Sequence, residues 1–413
     1  MAKVSRTPEL RFPEFQDNWN EKRIGNLGEF IGGGTPDSYK KEYWEGEIPW
    51  VSSSDINEDS IHLISKTRFI TEEAIVQSAT KKVPKGSILM VSRVGIGKFA
   101  VADSELCTSQ DFTNLVSTQN EYFLAYYFKA RSKRFVRLSQ GTSIKGFTTH
   151  DIKSAKFSIP QPEEQQKIAA FLTAVDQRIQ LLQQKKAKLE EYKKGVMQKL
   201  FSQEIRFKPA PSGVEGDENG NDFPDWEEKK LGEVSTFRRG SFPQPYGLPK
   251  WYDGENSSPF VQVYDVGENF KLKEVTKQRI SELAKSKSVF VEKGSVVLTI
   301  QGSIGRIAIT QYDSYVDRTL LIFKSFKIHF DKIYFAYAVY LLFEREKRVA
   351  VGGTIKTITK EKLSDFIIPI PSFREQQKIA AFLSSLDESI ASVAKQIEAT
   401  TTFKKGLLQK MFV

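Results

Sequence analysis

Two short strings in this chain carry residue types that could do chemistry, and both lack the companions that chemistry needs. Val94–Ala100 reads VGIGKFA, a G-x-G-x-x-A spacing that could cradle a pyrophosphate if a helix began directly after the glycines. The residues that follow, KFAVAD, look like another strand, and the matching stretch later in the chain reads GSIGRIA. A glycine turn between hairpin strands is the better account. Pro224–Lys229 reads PDWEEK, which contains the PD and E-x-K pieces of a metal-dependent nuclease. Carboxylates that share a metal have to come from separate strands, whereas Asp225 and Glu227 are near neighbours, and the counterpart EFQDNWNEK lacks the Pro-Asp pair. His62, His150 and His329 have no paired spacing, so a metal centre is not expected. The only cysteine, Cys107, excludes a disulfide framework and a Cys-rich zinc site, and fits a reducing cytoplasm. There is no P-loop, no G-x-S-x-G elbow and no Asn-Pro-Pro-type tetrapeptide. The expectation is a chain with no active site and no cofactor of its own.

What remains is polar, basic and glycine-rich, and it occurs twice. SRVGIGK (Ser92–Lys98) and QGSIGR (Gln301–Arg306) hold equivalent hairpin positions; Ser92, Arg93, Lys98, Gln301, Ser303 and Arg306 are candidates for contact with base edges, where Arg and Gln offer bidentate donors. QGTSIKGFT (Gln140–Thr148) and VGGTIKTIT (Val351–Thr359) set Lys145 and Lys356 among hydroxyls and amides suited to phosphate, which adds Ser143, Thr148 and Thr357. The net charge of +10 and pI near 9.2 agree with a polyanion partner, although a basic surface alone would not require one.

These residues sit on a duplicated scaffold. EQQKIAAFL occurs at Glu164–Leu172 and again at Glu375–Leu383, an offset of 211 residues (375 − 164). The frame around it is also doubled: RFPEFQDNWNEKRIGNLGEF with NDFPDWEEKKLGEVSTF, IPWVSSSDI with SPFVQVYDV, VPKGSILMVSRVGIGKFAVA with VEKGSVVLTIQGSIGRIAIT, and YKKGVMQKLF with FKKGLLQKMF. An identity of nine residues in this setting is a tandem duplication. Short β-branched runs such as SILMV and SVVLTI, separated by glycine and polar turns, read as strands. The fold class is therefore mixed α/β, with globular domains at 1–160 and 223–371. Hydrophobic content of 39% and charge of 27% suit soluble globular domains, and no stretch of 18 apolar residues suggests a membrane span.

After each globular domain the apolar period changes to about 3.5. Ile168, Leu172, Val175, Ile179 and Leu182 open one narrow seam, and Ile379, Leu383, Leu386, Ile390 and Val393 open the other. These predict long helices at 161–203 and 372–413, each about 60 Å at ~1.5 Å per residue, packed on one another as an antiparallel coiled coil. Gly195 and Gly406, at equivalent places, either end the helices or permit close approach. Residues 204–222 form a linker rich in Pro, Gly and acidic residues. EIRF (Glu204–Phe207) and ELRF (Glu9–Phe12) stand before each domain, so the order of elements is cyclic and predicts termini that lie near one another in a ring-like pseudo-dimer.

Framework residues agree between the halves while the tips differ: Arg93 against Gln301, Gln110 against Arg318, and GGGTPDSYK, with Thr35 and Lys40, against RGSFPQPYG, with Arg239. Similar domains with different reading loops fit an asymmetric, split DNA target. At this point the chain resembles the specificity subunit of a type I restriction–modification system. The resemblance rests on GGGTP, YWEGEIPWVSSSDI, KGSILMVSRVGIGK and the paired starts of the long helices, and it covers essentially the whole length. TSQDF, which contains Gln110, and VDRTL, which contains Arg318, depart from the family pattern.

The resemblance implies two target-recognition domains that each read half of a bipartite DNA sequence, and helices that fix the gap between the half-sites. It implies modification subunits, two of them, that bind S-adenosylmethionine, methylate adenine and dock around the helices. It also implies restriction subunits that use ATP and Mg. Gln165, Gln166, Gln376 and Gln377, in the repeated motif, are expected to face partners. The competing reading is a coiled-coil scaffold that binds no DNA.

Overall fold

The computed structural model describes residues 7–138, 146–209, 222–349 and 358–413. The chain divides into two units, Met1–Lys185 with Val393–Val413, and Lys186–Ser392.

In the first unit, one antiparallel sheet has the strand order Gly28–Gly32, Thr113–Ser117, Ile88–Met90, Phe99–Val101. A second sheet has the order Phe69–Ile70, Ile48–Val51, Leu106–Thr108, Lys82–Val83. Its central pair is parallel, with Trp50 opposite Cys107 and Val51 opposite Thr108. A short ribbon joins Asn20–Arg23 to Lys156–Ile159. Ile88–Met90, Phe99–Val101 and Leu106–Thr108 are buried at every residue, which is why these runs lack polar alternation. The helix Glu121–Ala130, capped by Asn120 accepting from the Phe123 amide, contributes Phe123, Tyr126, Tyr127 and Phe128 to the core.

The second unit repeats this plan. Its sheets run Ser235–Arg239, Leu320–Phe326, Val296–Thr299, Ile307–Ile309 and Gln278–Ile280, Ser258–Val261, Ser314–Val316, Val289–Val291. Again the central pair of the second sheet is parallel, with Val261 opposite Val316. The glycines of VGIGKFA turn the chain between two antiparallel strands, with Gly95 and Gly97 at φ of 98° and 99°. Asp225 and Glu227 are set around the start of the ribbon strand Glu227–Lys230, and among the described residues no cluster of His, Cys, Asp and Glu could hold a metal.

The two long helices span Pro162–Phe201 (40 residues) and Phe373–Lys410 (38 residues), and each contributes to both units. In the first unit Ile168, Leu172 and Val175 share a core with Leu407 and Met411, and Asp176 meets the Lys404 ammonium at 2.5 Å. In the second unit Met197 and Leu200 share a core with Ile379 and Leu383, and Lys193 meets Asp387 at 2.5 Å. From the first pair to the second, residue numbers rise along one helix as they fall along the other, so the helices pack antiparallel. In the first unit the Leu10 amide donates to the Lys410 carbonyl at 2.9 Å, bringing the N-terminal segment to the end of the second long helix as the cyclic order of motifs predicts.

Gly195 and Gly406 neither end the helices nor let a neighbour approach. Both lie within the helical spans, and a Cβ at either position would meet nothing within 4 Å. Gly195→Ala and Gly406→Ala should each raise the unfolding free energy by about 1 kcal/mol, the cost of glycine in a helix interior. Denaturant titration of each variant measures this, and an unchanged or lowered midpoint would contradict it.

The repeated motif works as an internal fastening. Glu164 accepts two bonds from the Arg11 guanidinium, both at 2.7 Å, and one from Trp19 Nε1 at 3.2 Å. Glu375 does the same with Arg206 at 3.1 and 2.8 Å and with Trp226 Nε1 at 2.9 Å. Buried carboxylates of this kind require charged, bidentate partners, which the Arg of each E-[I/L]-R-F string supplies. Gln165 donates to the Pro160 carbonyl at 2.9 Å and accepts from the Asn120 amide at 3.2 Å; Gln376 donates to the Pro371 carbonyl at 3.0 Å and accepts from the Asp331 amide at 3.0 Å. Each is 1% exposed. The expectation that Gln165 and Gln376 face a partner is corrected accordingly: their amides lock each helix start to its own domain. Gln166 and Gln377, the next residues, are exposed.

Candidate nucleic-acid interface

In each unit the central parallel strands end side by side, and a tight turn follows each of them. In the first unit Val51 leads into the turn Ser52–Asp55 and Thr108 into Ser109–Phe112. The Asp55 carboxylate accepts from the Ser52 amide at 2.7 Å, and the Phe112 amide donates to the Ser109 carbonyl at 3.2 Å. In the second unit Asp265 accepts from the Gln262 amide at 2.8 Å, and the Leu320 amide donates to the Asp317 carbonyl at 3.0 Å. The strand before each Gly-containing tip passes so close that a Cβ on Gly33 would lie 1.9 Å from the Ser109 carbonyl oxygen, and one on Gly240 would lie 2.2 Å from that of Val316. Glycine is required there for the tip to cross the turns.

The turns bring several expected residues together. In the first unit Thr35 and Gln110 are exposed and hydrogen-bonded side chain to side chain, Thr35 from the tip and Gln110 from the second turn. Ser92 is buried, its hydroxyl donating to the Asp111 carbonyl at 2.9 Å, so it anchors the hairpin to the turn; the Arg93 amide donates to the same carbonyl at 3.2 Å while its side chain is exposed. Lys98 is half-buried and reaches the Ser53 carbonyl at 3.3 Å. Lys40 lies apart, exposed, bonded to the Tyr43 hydroxyl at 3.1 Å. Thr148 caps the helix Thr149–Ser154 by accepting from the Asp151 amide at 3.2 Å, and its hydroxyl also bonds the Asp151 carboxylate at 2.8 Å.

In the second unit Arg318 lies over the Tyr246 ring at 5.6 Å, and Arg239, Gln301 and Ser303 are exposed. Arg306 bonds the Gly267 carbonyl at 3.3 Å. Ser143, Lys145, Lys356 and Thr357 lie outside the described residues.

The sequence reading missed several side chains at these turns. Arg68, from a neighbouring strand edge, stacks on Trp50 at 4.5 Å and donates to Ser52 Oγ at 2.7 Å and to Asp55. In the second unit the Tyr264 hydroxyl donates to Gln262 Oε1, and Gln262 Nε2 donates to the Tyr246 hydroxyl. For Gln262 and Tyr264 the sequence signal was the alignment of VSSSDI with VQVYDV; Arg68 and Tyr246 lie outside both strings. Burial raises Tyr246 above the usual phenol range, and the nearby Asp317 carboxylate adds to the shift, so the hydroxyl stays protonated and able to donate. Burial likewise pushes the Cys107 thiol up to about 12, which leaves it unreactive.

In the first unit Asp176, on the first long helix, carries the Lys404 ion pair, a bond from the Tyr126 hydroxyl at 2.7 Å and His62 Nε2 at 3.6 Å. Lys129 lies nearby; burial, then repulsion from Lys404, lowers its ammonium to about 8 from 10.5. A lysine whose folded pKa is lowered destabilises the fold while it is charged. The penalty is complete below pH 8 and fades as pH rises toward 10.5. Lys129→Met should therefore stabilise the first unit at pH 7 by about 1–2 kcal/mol, allowing for its partial exposure, and most of that gain should be gone at pH 10. Paired thermal melts at the two pH values test this; an equal gain at both would contradict it.

The geometry defines a tandem-domain protein whose paired turns present exposed polar and cationic side chains, on a scaffold joined by antiparallel helices. A family model described as the type I restriction modification DNA specificity domain matches residues 16–191 and again 224–401, so the chain belongs to that family. The type I restriction enzyme MjaIX specificity subunit of Methanocaldococcus jannaschii is 30% identical over 410 residues, 95% of this chain and 92% of that protein. The EcoR124I/EcoR124II specificity subunit of Escherichia coli is 30% identical over 176 residues, 40% of this chain and 43% of its own length. The crystal structure of a type I restriction–modification S subunit from M. genitalium shares the fold, with a TM-score of 0.59 at 18% identity, covering 98% of this chain and 99% of that one. The chain is thus a type I specificity subunit with two tandem target-recognition domains. Among the described residues no helix is long and apolar enough to cross a membrane.

Proposed function

We propose that this chain selects a bipartite DNA target for a modification and restriction complex in the cytoplasm. Each domain reads one half-site, and the paired helices hold the half-sites a fixed number of base pairs apart. Methyltransferase subunits, two per chain, dock on the exposed faces of the helices, with Gln166 and Gln377 among the contacts. They bring S-adenosylmethionine and methylate an adenine turned out of the stack. Restriction subunits bring ATP and Mg. The chain contributes no catalytic group of its own; it decides where the others act.

The observation that carries this reading is the duplication itself: one scaffold, built twice, with different side chains on the same turns. A scaffold that bound no DNA would have no use for that difference. The test is binding of the chain, assembled with its modification subunits, to a duplex carrying its target. The association constant should fall steeply as salt is raised, as expected when lysines and arginines displace counterions from phosphate. Salt-independent binding, or none, would favour the protein scaffold.

A further inference from the structure

The central parallel strands of each domain end in a platform of two turns, Ser52–Asp55 with Ser109–Phe112 and Gln262–Asp265 with Asp317–Leu320. The backbone of the platform is the same in both domains. The amide of the residue after each strand donates in matched fashion, Ser109 to the Val51 carbonyl at 2.9 Å and Asp317 to the Val261 carbonyl at 3.0 Å. The first turn is closed by a matched aspartate, at 2.7 Å for Asp55 and 2.8 Å for Asp265. The side chains on that shared backbone differ at matched positions: Ser52 for Gln262, Ser54 for Tyr264, Gln110 for Arg318. A structural turn would have no reason to vary in this pattern while keeping its closing aspartate.

We propose that these platforms are the base-reading elements of the two domains, with Gln110 and Arg318 as the matched residues that distinguish adenine from guanine in the major groove, and with Gln262, 6% exposed, as the buried link from Tyr264 to the Tyr246 ring on which Arg318 lies. This rests on the reading of both domains as DNA-recognising. The chemistry follows from the donor sets. A glutamine amide pairs with the N6 and N7 edge of adenine, and a guanidinium with O6 and N7 of guanine. Gln110 and Arg318 are both exposed, so each can reach a base edge. Gln262 is 6% exposed and bonded at both ends of its amide, accepting from the Tyr264 hydroxyl and donating to the Tyr246 hydroxyl, so it fixes Tyr246 rather than meeting a base. Arg318 is steadied by the Tyr246 face beneath it. Next to it Asp317, 1% exposed, uses Oδ1 to accept from the Thr319 amide and hydroxyl at 3.0 and 2.6 Å, whereas Oδ2 has no hydrogen-bond partner among the described residues. The first domain has no such carboxylate at the matched position, Ser109, and carries a neutral reader there.

The test is methylation mapping of genomic DNA by the full chain assembled with its modification subunits, unaltered and with Gln110→Arg or Tyr264→Phe. Gln110→Arg should move the preference at one base pair of the first half-site from A·T toward G·C, by roughly 10–100-fold, leaving the second half-site and the spacer unchanged. Tyr264→Phe, which removes the hydroxyl that orients Gln262 and through it the Tyr246 ring under Arg318, should relax the position that Arg318 reads in the second half-site and leave the first intact. Because each variant keeps one unaltered domain, retained reading of the other half-site shows that the complex is folded. Both half-sites unchanged in both variants would overturn the platform assignment while leaving the DNA-reading function standing. No sequence-specific methylation by the unaltered complex would instead overturn that function, and the platform with it.

Discussion

Inserting one heptad into each long helix, after Lys185 in the first and after Ser392 in the second, should widen the unread spacer by about 3 base pairs and leave both half-sites unchanged. The two points are where each helix passes from one unit to the other. A heptad keeps the apolar seam in phase, so the inserted turns bury their stripe as the flanking ones do. At ~1.5 Å per residue the insertion adds about 10 Å, which is about 3 steps of duplex at ~3.4 Å each. Inserting the heptad into only one helix would put the seams out of register and should abolish methylation. Methylation mapping of the double insertion decides the matter, and an unchanged spacer would remove the helices from the role of ruler.

Asp176→Ala should destabilise the first unit by about 3–5 kcal/mol. The carboxylate is 10% exposed and meets Lys404, 6% exposed, at 2.5 Å; its loss leaves a buried ammonium without its counter-charge, bonded to the Asp59 carbonyl at 3.1 Å, and a buried charge without its counter-ion is among the costliest single defects. Asp387→Ala should act likewise on the second unit, because Asp387 holds Lys193 and the Tyr337 hydroxyl in the matched arrangement. Replacing both partners, Asp176→Leu with Lys404→Met, should restore most of the lost stability, since neither charge then has to be buried. Unfolding monitored in denaturant would show it. A single substitution costing under about 1 kcal/mol would mean that water already reaches the pair.

The duplicated architecture was legible because the repeat is written in local strings, and because an apolar seam persisting over ~40 residues admits few folds. The helix starts were legible for the same reason, down to the Arg of E-[I/L]-R-F, although its partner was not. Nothing in a linear reading shows that Glu164 receives Arg11 from 153 residues earlier, and without that contact the glutamine beside it looked like a surface residue. The platforms were hidden for a related reason. Val51 and Thr108 are brought together by a parallel pairing across 57 positions (108 − 51), and such pairings leave no signature in the intervening sequence. Gln110 and Arg318 could be suspected because they differ between the halves; Arg68, Tyr246 and Gln262 needed the fold to bring them to the turns. Gly195 and Gly406 resisted both of the sequence readings, since the space around a helical glycine depends on what faces it.

The repeat also explains why the two domains are free to diverge where they do. The carboxylate, amide and tryptophan that fasten each helix start are kept in both halves, and so are the buried Asp–Lys pairs between helices. Variation falls on turn side chains that take no part in those fastenings. Recognition can therefore change without disturbing the scaffold, which is what a subunit that sets specificity for other enzymes requires.

The most direct test of this account is single-molecule methylome sequencing of cells with and without this chain. The account predicts one split motif, two short half-sites separated by a constant number of unread base pairs, carrying methyladenine in both strands and lost when the chain is deleted. A methylation pattern unchanged by the deletion, or a lost motif that is continuous rather than split, would contradict it.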